Sequence, residues 1–369
     1  MMLRSFLLLV VCAACVVCAT CAACGARDEP EPNGSAPEVA QPTGAVAGEG
    51  TEVAMMRVPA EWEPHAATWM QWPEDFEAGM RSAFADIIAV VQAYEPVHLL
   101  TSSEAQKAEA QRVLAGRGVP ETNITWHIVP VDSAWMRDNG PIYVTDGETT
   151  WIEDFRFDAW GGNFGADVPY DNDDRIPAYV AAELGIPVNG HPDYVLEKGN
   201  LEFNGAGTLV LNWDCQDDRN PGMDRAEHEA ILKETFGLDT VIWAYGHTPG
   251  EGTVGHIDGT ARFVAADTIA IADSERRAGT QGDLAAACEE AGLKVVRIPC
   301  PGETNYVNYL VGNGFVAAMA WGEREADAEA EAILAALFPG RDVHMIDART
   351  LWSNGGGIHC VTNDQPLLP

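Results

Sequence analysis

The sequence predicts an α/β fold assembled from one small unit used several times. Three observations predict it. Segments with apolar residues at three- and four-residue steps alternate with short apolar runs. Several of these runs come in pairs around turn residues, as at Asp146-Gly147, Asn204-Gly205 and Gly312-Asn313-Gly314. No G-x-G-x-x-G or G-x-x-x-x-G-K-[ST] stretch occurs, which removes the main support for a nucleotide-binding doubly wound sheet. Hairpins imply mixed rather than all-parallel pairing. A recurring hairpin–helix–strand unit suggests a radial arrangement with a site at its centre.

Residues 1–24 read as an export signal, with Arg4 ahead of an apolar core and small residues after it. Ala22-Ala23-Cys24 resembles the end of a bacterial lipobox, although Cys21 stands where Leu is usual, so Cys24 is the candidate for lipidation. Residues 25–54 carry Pro, Gly, Ala, Ser and acids with no apolar period, the composition of a disordered tether. The expectation is an exported protein, held at a bacterial envelope by an N-terminal lipid or else periplasmic or secreted. The body, 55–369, holds the repeated units.

In that body Phe84–Tyr94 is a predicted helix and Val97–Thr101, after Pro96, a strand. Glu104–Ala115 is a helix stopped by Gly116, and Ile124–Val131 a strand. Ile142–Val144 and Thr150–Ile152 pair around a turn, before helix Ile176–Leu184. Leu201–Phe203 and Thr208–Leu211 pair likewise, followed by helix Arg225–Phe236 and strand Thr240–Trp243. Ala261–Val264 and Thr268–Ile271, helix Asp283–Ala291 and strand Lys294–Ile298 repeat the pattern. So do Tyr306–Val311 and Phe315–Met319, helix Glu325–Leu337 and strand Asp342–Ile346.

Charge narrows the function. The 369 residues carry a formal net charge of -34. The leader and tether contain two arginines against six acids, so about −30 belongs to the body. Such a surface repels nucleic acid and anionic lipid and draws cationic small molecules or basic peptides, unless it serves solubility alone. Contact with a membrane is expected only through the lipid. Cys215, Cys288, Cys300 and Cys360 are too scattered for a disulfide framework.

Three clusters could carry chemistry. Ser353-Asn354-Gly355-Gly356-Gly357-Ile358-His359-Cys360-Val361-Thr362 has glycines that permit close approach. If it is a strand, Ile358, Cys360 and Thr362 share one face and His359 faces away, so the base for Cys360 must come from elsewhere. Cys360 is then either a nucleophile or a small buried hydrophobe. In Gly255-His256-Ile257-Asp258-Gly259, an extended backbone puts His256 and Asp258 on one side, which suits a general acid/base with a charge partner or a plain surface pair. In Trp135-Met136-Arg137-Asp138-Asn139-Gly140-Pro141, an aromatic and an acid could hold a planar cation, or Arg137 and Asp138 could simply brace a loop. A metal reading would add His247, His344 or His359, and no H-E-x-x-H or close-spaced histidine set supports it.

Taken together the motifs are more specific. Ala60 to His65 with Thr68-Trp69 and Trp72-Pro73, Trp135 to Pro141, Phe157 to Gly162, Leu196-Glu197 with Gly199, Gly255 to Asp258, Asn305 to Tyr309 and Gly355 to Thr362 follow in one order. That order resembles the agmatine deiminase / bacterial-type peptidyl-arginine deiminase family. The resemblance implies a pentein fold, a pseudo-fivefold α/β propeller with a central active-site funnel. It implies Cys360 as nucleophile, His256 as general acid/base, and Asp138 and Asp258 as guanidinium-binding carboxylates. Trp135, Trp160, Glu197 and Gly357 would contact or support the substrate. No metal, nucleotide or redox cofactor is implied. The substrate would be agmatine, or else peptidyl-arginine or free arginine, with Arg156 available to meet a carboxylate. A catalytically dead module binding cationic ligands is the alternative of another class. Lys198 departs from the family in standing where a Gly usually follows the Glu, and the segment between Arg262 and Asn305 is short.

Overall fold

The computed structural model describes residues 56–275 and 278–369. The export-type leader, Cys24 and the tether 25–54 lie outside the described residues.

Among the described residues sixteen strands form five sheets. The chain begins with β1 (His65–Gln71), α1 (Arg81–Tyr94), β2 (Val97–Thr101), α2 (Glu104–Gly116) and β3 (Ile124–Ile128), followed by the short α3 (Met136–Asn139). Four units then repeat one plan. The first is β4 (Ile142–Thr145), β5 (Thr150–Arg156), α4 (Ile176–Leu184) and β6 (Val188–Val195). The second is β7 (Glu202–Phe203), β8 (Thr208–Asn212), α5 (Trp213–Arg219), α6 (Arg225–Phe236) and β9 (Thr240–Ala244). The third is β10 (Ala261–Ala265), β11 (Thr268–Asp273), α7 (Ala278–Glu290) and β12 (Lys294–Pro299). The fourth is β13 (Leu310–Gly312), β14 (Phe315–Ala320), α8 (Arg324–Leu337) and β15 (Asp342–Asp347). After α9 (Arg349–Trp352), the terminal strand β16 (Asn363–Pro366) runs antiparallel to β1. In every unit the first strand is antiparallel to the second, and the strand after the helix is parallel to it. The first sheet is therefore built from both ends of the domain, in the order β16-β1-β2-β3.

Local chemistry explains the helices. Phe84, Ile87, Ile88 and Val91 line the buried stripe of α1 at helical spacing. Asp224 accepts the N–H groups of Ala226 and Glu227 to cap α6, Glu227 completes a capping box, and Gly237 ends the helix at φ 65°. Ser103 caps α2 by accepting the Gln106 N–H.

Several elements escape the apolar pattern, and several predicted ones have other bounds, β5 running on to Arg156 among them. β6 contains Gly190 and Pro192 and is largely exposed, as an edge strand can be. β16 reads Asn-Asp-Gln-Pro yet is fully buried. Its polar side chains are satisfied inside: Gln365 accepts the Trp69 indole N–H at 2.8 Å, and Asp364 takes Arg137 at 2.7 Å and Lys198 at 2.9 Å. β1 and α5 carry Trp and polar residues without a clean period. The strand expected over Ile124–Val131 stops at Ile128, short of Pro130. The one expected from Tyr306 begins at Leu310, because Asn305 Oδ1 accepts the N–H groups of Val307 and Asn308 in a local turn. The helix expected over Asp283–Ala291 begins earlier, at Ala278.

Asp364 ties three distant parts of the chain, and its removal would strand two buried cations. Asp364→Ala is expected to lower stability by about 3–5 kcal/mol, read as a lower urea midpoint in equilibrium unfolding.

Candidate active site

Each group expected to carry chemistry precedes the first strand of a unit. Asp138 lies in α3 before β4, Glu197 and Lys198 before β7, and His256 and Asp258 before β10. Asn305 and Asn308 precede β13, and His359 and Cys360 precede β16. Because the units repeat, these five lead-in segments are equivalent, and the structure brings their side chains together.

Cys360 Sγ lies 3.4 Å from Asp258 Oδ2 and receives the Asn308 side-chain N–H at 3.2 Å. His256 is held on both sides, Nε2 at 2.5 Å from Glu197 and Nδ1 at 3.5 Å from Asp138. The second Asp138 oxygen accepts the Trp160 indole N–H at 2.9 Å. Glu197 in turn takes Arg219 at 2.6 Å. A cavity of about 320 Å³ opens over this floor, lined by Cys360, Asp138, Trp135, Trp160, Glu77, Phe76, Phe164, Val168, Ser133, Thr253, Asn354 and Gly355.

Backbone geometry is stressed at this floor. Trp160 and its neighbour Ala159 both sit at φ 57°, and Val254, just before Gly255-His256, at φ 58°. Left-handed backbone at non-glycine residues costs of order 1–3 kcal/mol each and is concentrated at sites where position matters. At Gly199 a Cβ would collide with the Asp138 carboxylate and the His256 ring, so only glycine permits that approach.

Several sequence expectations are corrected. Residues 358–362 are not a strand: His359–Val361 form a turn of 3-10 helix. His359 and Cys360 therefore do not face apart. Both reach Asp258 Oδ2, His359 through Nδ1 at 2.8 Å. Ile257–Gly259 is likewise a 3-10 turn, so the carboxylates at His256 are Glu197 and Asp138 rather than Asp258. Arg137 braces Asp364 and Glu61 while its neighbour Asp138 faces the cavity, so both readings of that segment hold in part. Glu197 stands behind His256, not on the cavity wall. Gly357 is also off the wall, where a Cβ would strike Asn308. Arg156 is exposed and borders a separate surface hollow with Asp154, Asp174 and His191. Lys198 points its ammonium at Asp364 and Asn363. Asn308, Glu61, Glu77 and Arg219 were not singled out from the sequence as functional. Asn308 and Glu61 left a trace, in the Asn305–Tyr309 and Ala60–His65 motifs.

Glu197, Cys215 and His256 offer donor atoms within 4.8 Å of one another, a spacing a metal ion could accept. Arg219 and His256 already occupy the Glu197 oxygens, which leaves that carboxylate little to offer a cation. Of the two thiols, Cys215 is buried behind His256 and Cys360 lines the cavity.

Charge states follow from burial and neighbours. Burial opposes a charge on His256, but the Asp138 and Glu197 carboxylates and the Cys215 sulfur outweigh it and hold His256 well above its ordinary value. Burial pushes Asp138 up to about 7, against the pull of His256. Burial also pushes Asp258 up, but the His359 hydrogen bond and the charges of His359, His256 and Arg262 bring it down to about 2. Burial, with Asp258 and Asp138, drives the Cys360 thiol well above its ordinary value. These shifts favour an imidazolium at His256 and a thiol at Cys360.

The profile of the Porphyromonas-type peptidyl-arginine deiminase family matches residues 57–366. The chain belongs to this family. An agmatine deiminase of Ectopseudomonas mendocina is 31% identical, over 84% of this chain and 95% of that protein. One of Pseudomonas aeruginosa is 30% identical, over 84% and 95%. The agmatine deiminase structure of Enterococcus faecalis shares the fold, with a TM-score of 0.75 at 24% identity, over 87% of this chain and 98% of that one. Family membership and the buried site make this chain a cysteine-nucleophile hydrolase that deiminates a guanidinium substrate.

Three variants test that chemistry. If Asp138 receives the guanidinium it must ionise first, and kcat/KM should rise through about pH 7. The Trp160 N–H favours the ionised form, so Trp160→Phe should move this limb to higher pH and cost roughly tenfold at pH 7. In the other direction, Glu197→Gln removes a charge that holds the His256 proton, so the alkaline limb should move to lower pH. His256→Ala should lower kcat roughly 10²- to 10⁴-fold. Steady-state pH profiles of the three variants check all of this.

Proposed function

We propose that the protein hydrolyses agmatine to N-carbamoylputrescine and ammonia. The observation that carries this reading is the cavity wall. It offers two buried carboxylates, Asp138 and Glu77, and four aromatic rings, and no lysine or arginine. An apolar diamine-like chain with cationic ends suits such a wall, by stacking and charge-assisted hydrogen bonds. Free arginine would bring a carboxylate with no cationic partner there, and Arg156 borders another hollow.

The five sheets are read as blades of a pseudo-fivefold pentein propeller, with the cavity at the mouth of its funnel. The pairing of β16 with β1 and the meeting of five equivalent lead-in segments support this. Cys360 is taken as the nucleophile, His256 as acid/base, and Asp138 and Asp258 as the carboxylates at the guanidinium. The cation lowers the pKa of the Cys360 thiol, which releases its proton to solvent because His256 is already protonated, and the sulfur attacks the central carbon. The His256 imidazolium protonates the departing amino group, which leaves as ammonia and gives an S-alkyl thiouronium. Neutral His256 then takes a proton from water. The resulting hydroxide adds to the carbon. Collapse breaks the C–S bond and expels the thiolate, and the added hydroxyl gives its proton to that sulfur, leaving a neutral urea and the Cys360 thiol. Asn308, which donates to Sγ, would help stabilise that thiolate.

Peptidyl-arginine is the second reading. Phe76 and Phe164, 69% and 46% exposed, form an apolar rim that a chain could cross. The export-type leader and candidate lipid at Cys24 fit an external substrate, and an exported, envelope-held enzyme is the localisation we propose. An inactive cation-binding module would not require Cys360 beside Asp258 and Asn308.

Ureido product measured from agmatine, an arginine peptide and free arginine side by side is expected to appear first with agmatine and to vanish in Cys360→Ala. Turnover of the peptide without turnover of agmatine would select the second reading.

A further inference from the structure

We propose that Glu77 is the counter-ion for the ammonium end of the substrate and sets a preference for α,ω-guanidinoalkylamines over neutral alkylguanidines. This rests on the agmatine reading and adds the residue that recognises the far end.

Glu77 is 3% exposed and lines the cavity that holds Cys360 and Asp138. A buried carboxylate is ordinarily paired, because its desolvation is costly. Asp138, the other acid on this wall, has His256. Among the described residues no lysine, arginine or histidine forms an ion pair with Glu77. It accepts the Glu74 N–H at 3.4 Å, the Ala134 backbone and the Trp135 side chain favour its charge, and burial with the Asp173 carboxylate still holds it near 7. Phe76, Trp135, Phe164 and Val168 share the wall and suit an alkyl chain between the two acids. A ligand ammonium would supply the missing cation without displacing any protein group.

Glu77 has a local structural duty too, since it forms a capping box with Glu74 at the 3-10 turn Asp75–Met80. Glutamine serves equally in a capping box. Glu77→Gln therefore removes the charge and keeps the turn.

The test measures kcat and KM of the full chain with agmatine and with n-butylguanidine, which has the same guanidinium and chain but no amine. Wild type should prefer agmatine. In Glu77→Gln, KM for agmatine should rise roughly 10- to 100-fold, the span of a charge-assisted hydrogen bond, with kcat nearly unchanged and n-butylguanidine unaffected. Glu77→Asp keeps the charge and should show a smaller rise, again for agmatine alone, which serves if the first variant does not fold. An equal effect on both guanidines, or none on agmatine, overturns the assignment of Glu77 alone. Failure of wild type to turn over agmatine at all overturns both the substrate reading and this one.

Discussion

The Glu61 carboxylate lies 2.8 Å from Arg262, 3.4 Å from Arg137 and 2.8 Å from His359, and its other oxygen accepts the Val311 N–H at 2.8 Å. Those four partners belong to segments leading into, or within, the first strands of four different sheets. Burial raises the cost of ionising Glu61, yet Arg262, His359 and Arg137 hold it well below the usual carboxylate range. A charge in this surrounding is tolerable only if its partners stand where they do, so the hub constrains how the units meet. The chemistry rests directly on it: Glu61 holds His359, His359 holds Asp258, and Asp258 faces the Cys360 sulfur.

The same network explains the departure at Lys198. Its buried ammonium joins Arg137 on Asp364, 5.9 Å over the Tyr143 ring. Two cations on one carboxylate hold Asp364 ionised, and β16 is thereby anchored although no apolar side chain drives it inward. Packing and ion pairing divide the work here. The helices bury apolar stripes against the sheets, while the polar lead-in segments are fixed by charge and hydrogen bonds.

The cavity floor keeps an imbalance that the network below it does not. Asp138 and the Cys360 thiol are both raised, and His256 is held as a cation. A site in this state is poorly disposed to activate a neutral molecule. On the proposed reading, a flat cation between sulfur and carboxylate would relieve the burial cost of both, and substrate binding and nucleophile activation would be one electrostatic event. Strained backbone at Trp160 and Val254 keeps the aromatic wall and the imidazole in place for it.

By itself the sequence determined the repeating α/β plan and the guanidinium-deiminating family. Helical periodicity and turn chemistry act within a few residues, so Phe84, Ile87, Ile88 and Val91 announce α1 and Asp224 with Glu227 announces α6. The ordered motifs around Asp138, His256 and Cys360 likewise pointed to guanidinium chemistry. Tertiary structure alone decided who touches whom. The 3-10 turns at Ile257–Gly259 and His359–Val361 look extended in the sequence, because a short polar turn followed by a strand carries no period. β16 has no local signal at all, since its burial depends on Trp69, Arg137 and Lys198, more than a hundred residues away. The contact of Asn308 with the sulfur and the place of Glu77 on the cavity wall were hidden for the same reason. A polar residue's role is set by the partner it meets across the fold, and that meeting leaves no periodic trace in the chain.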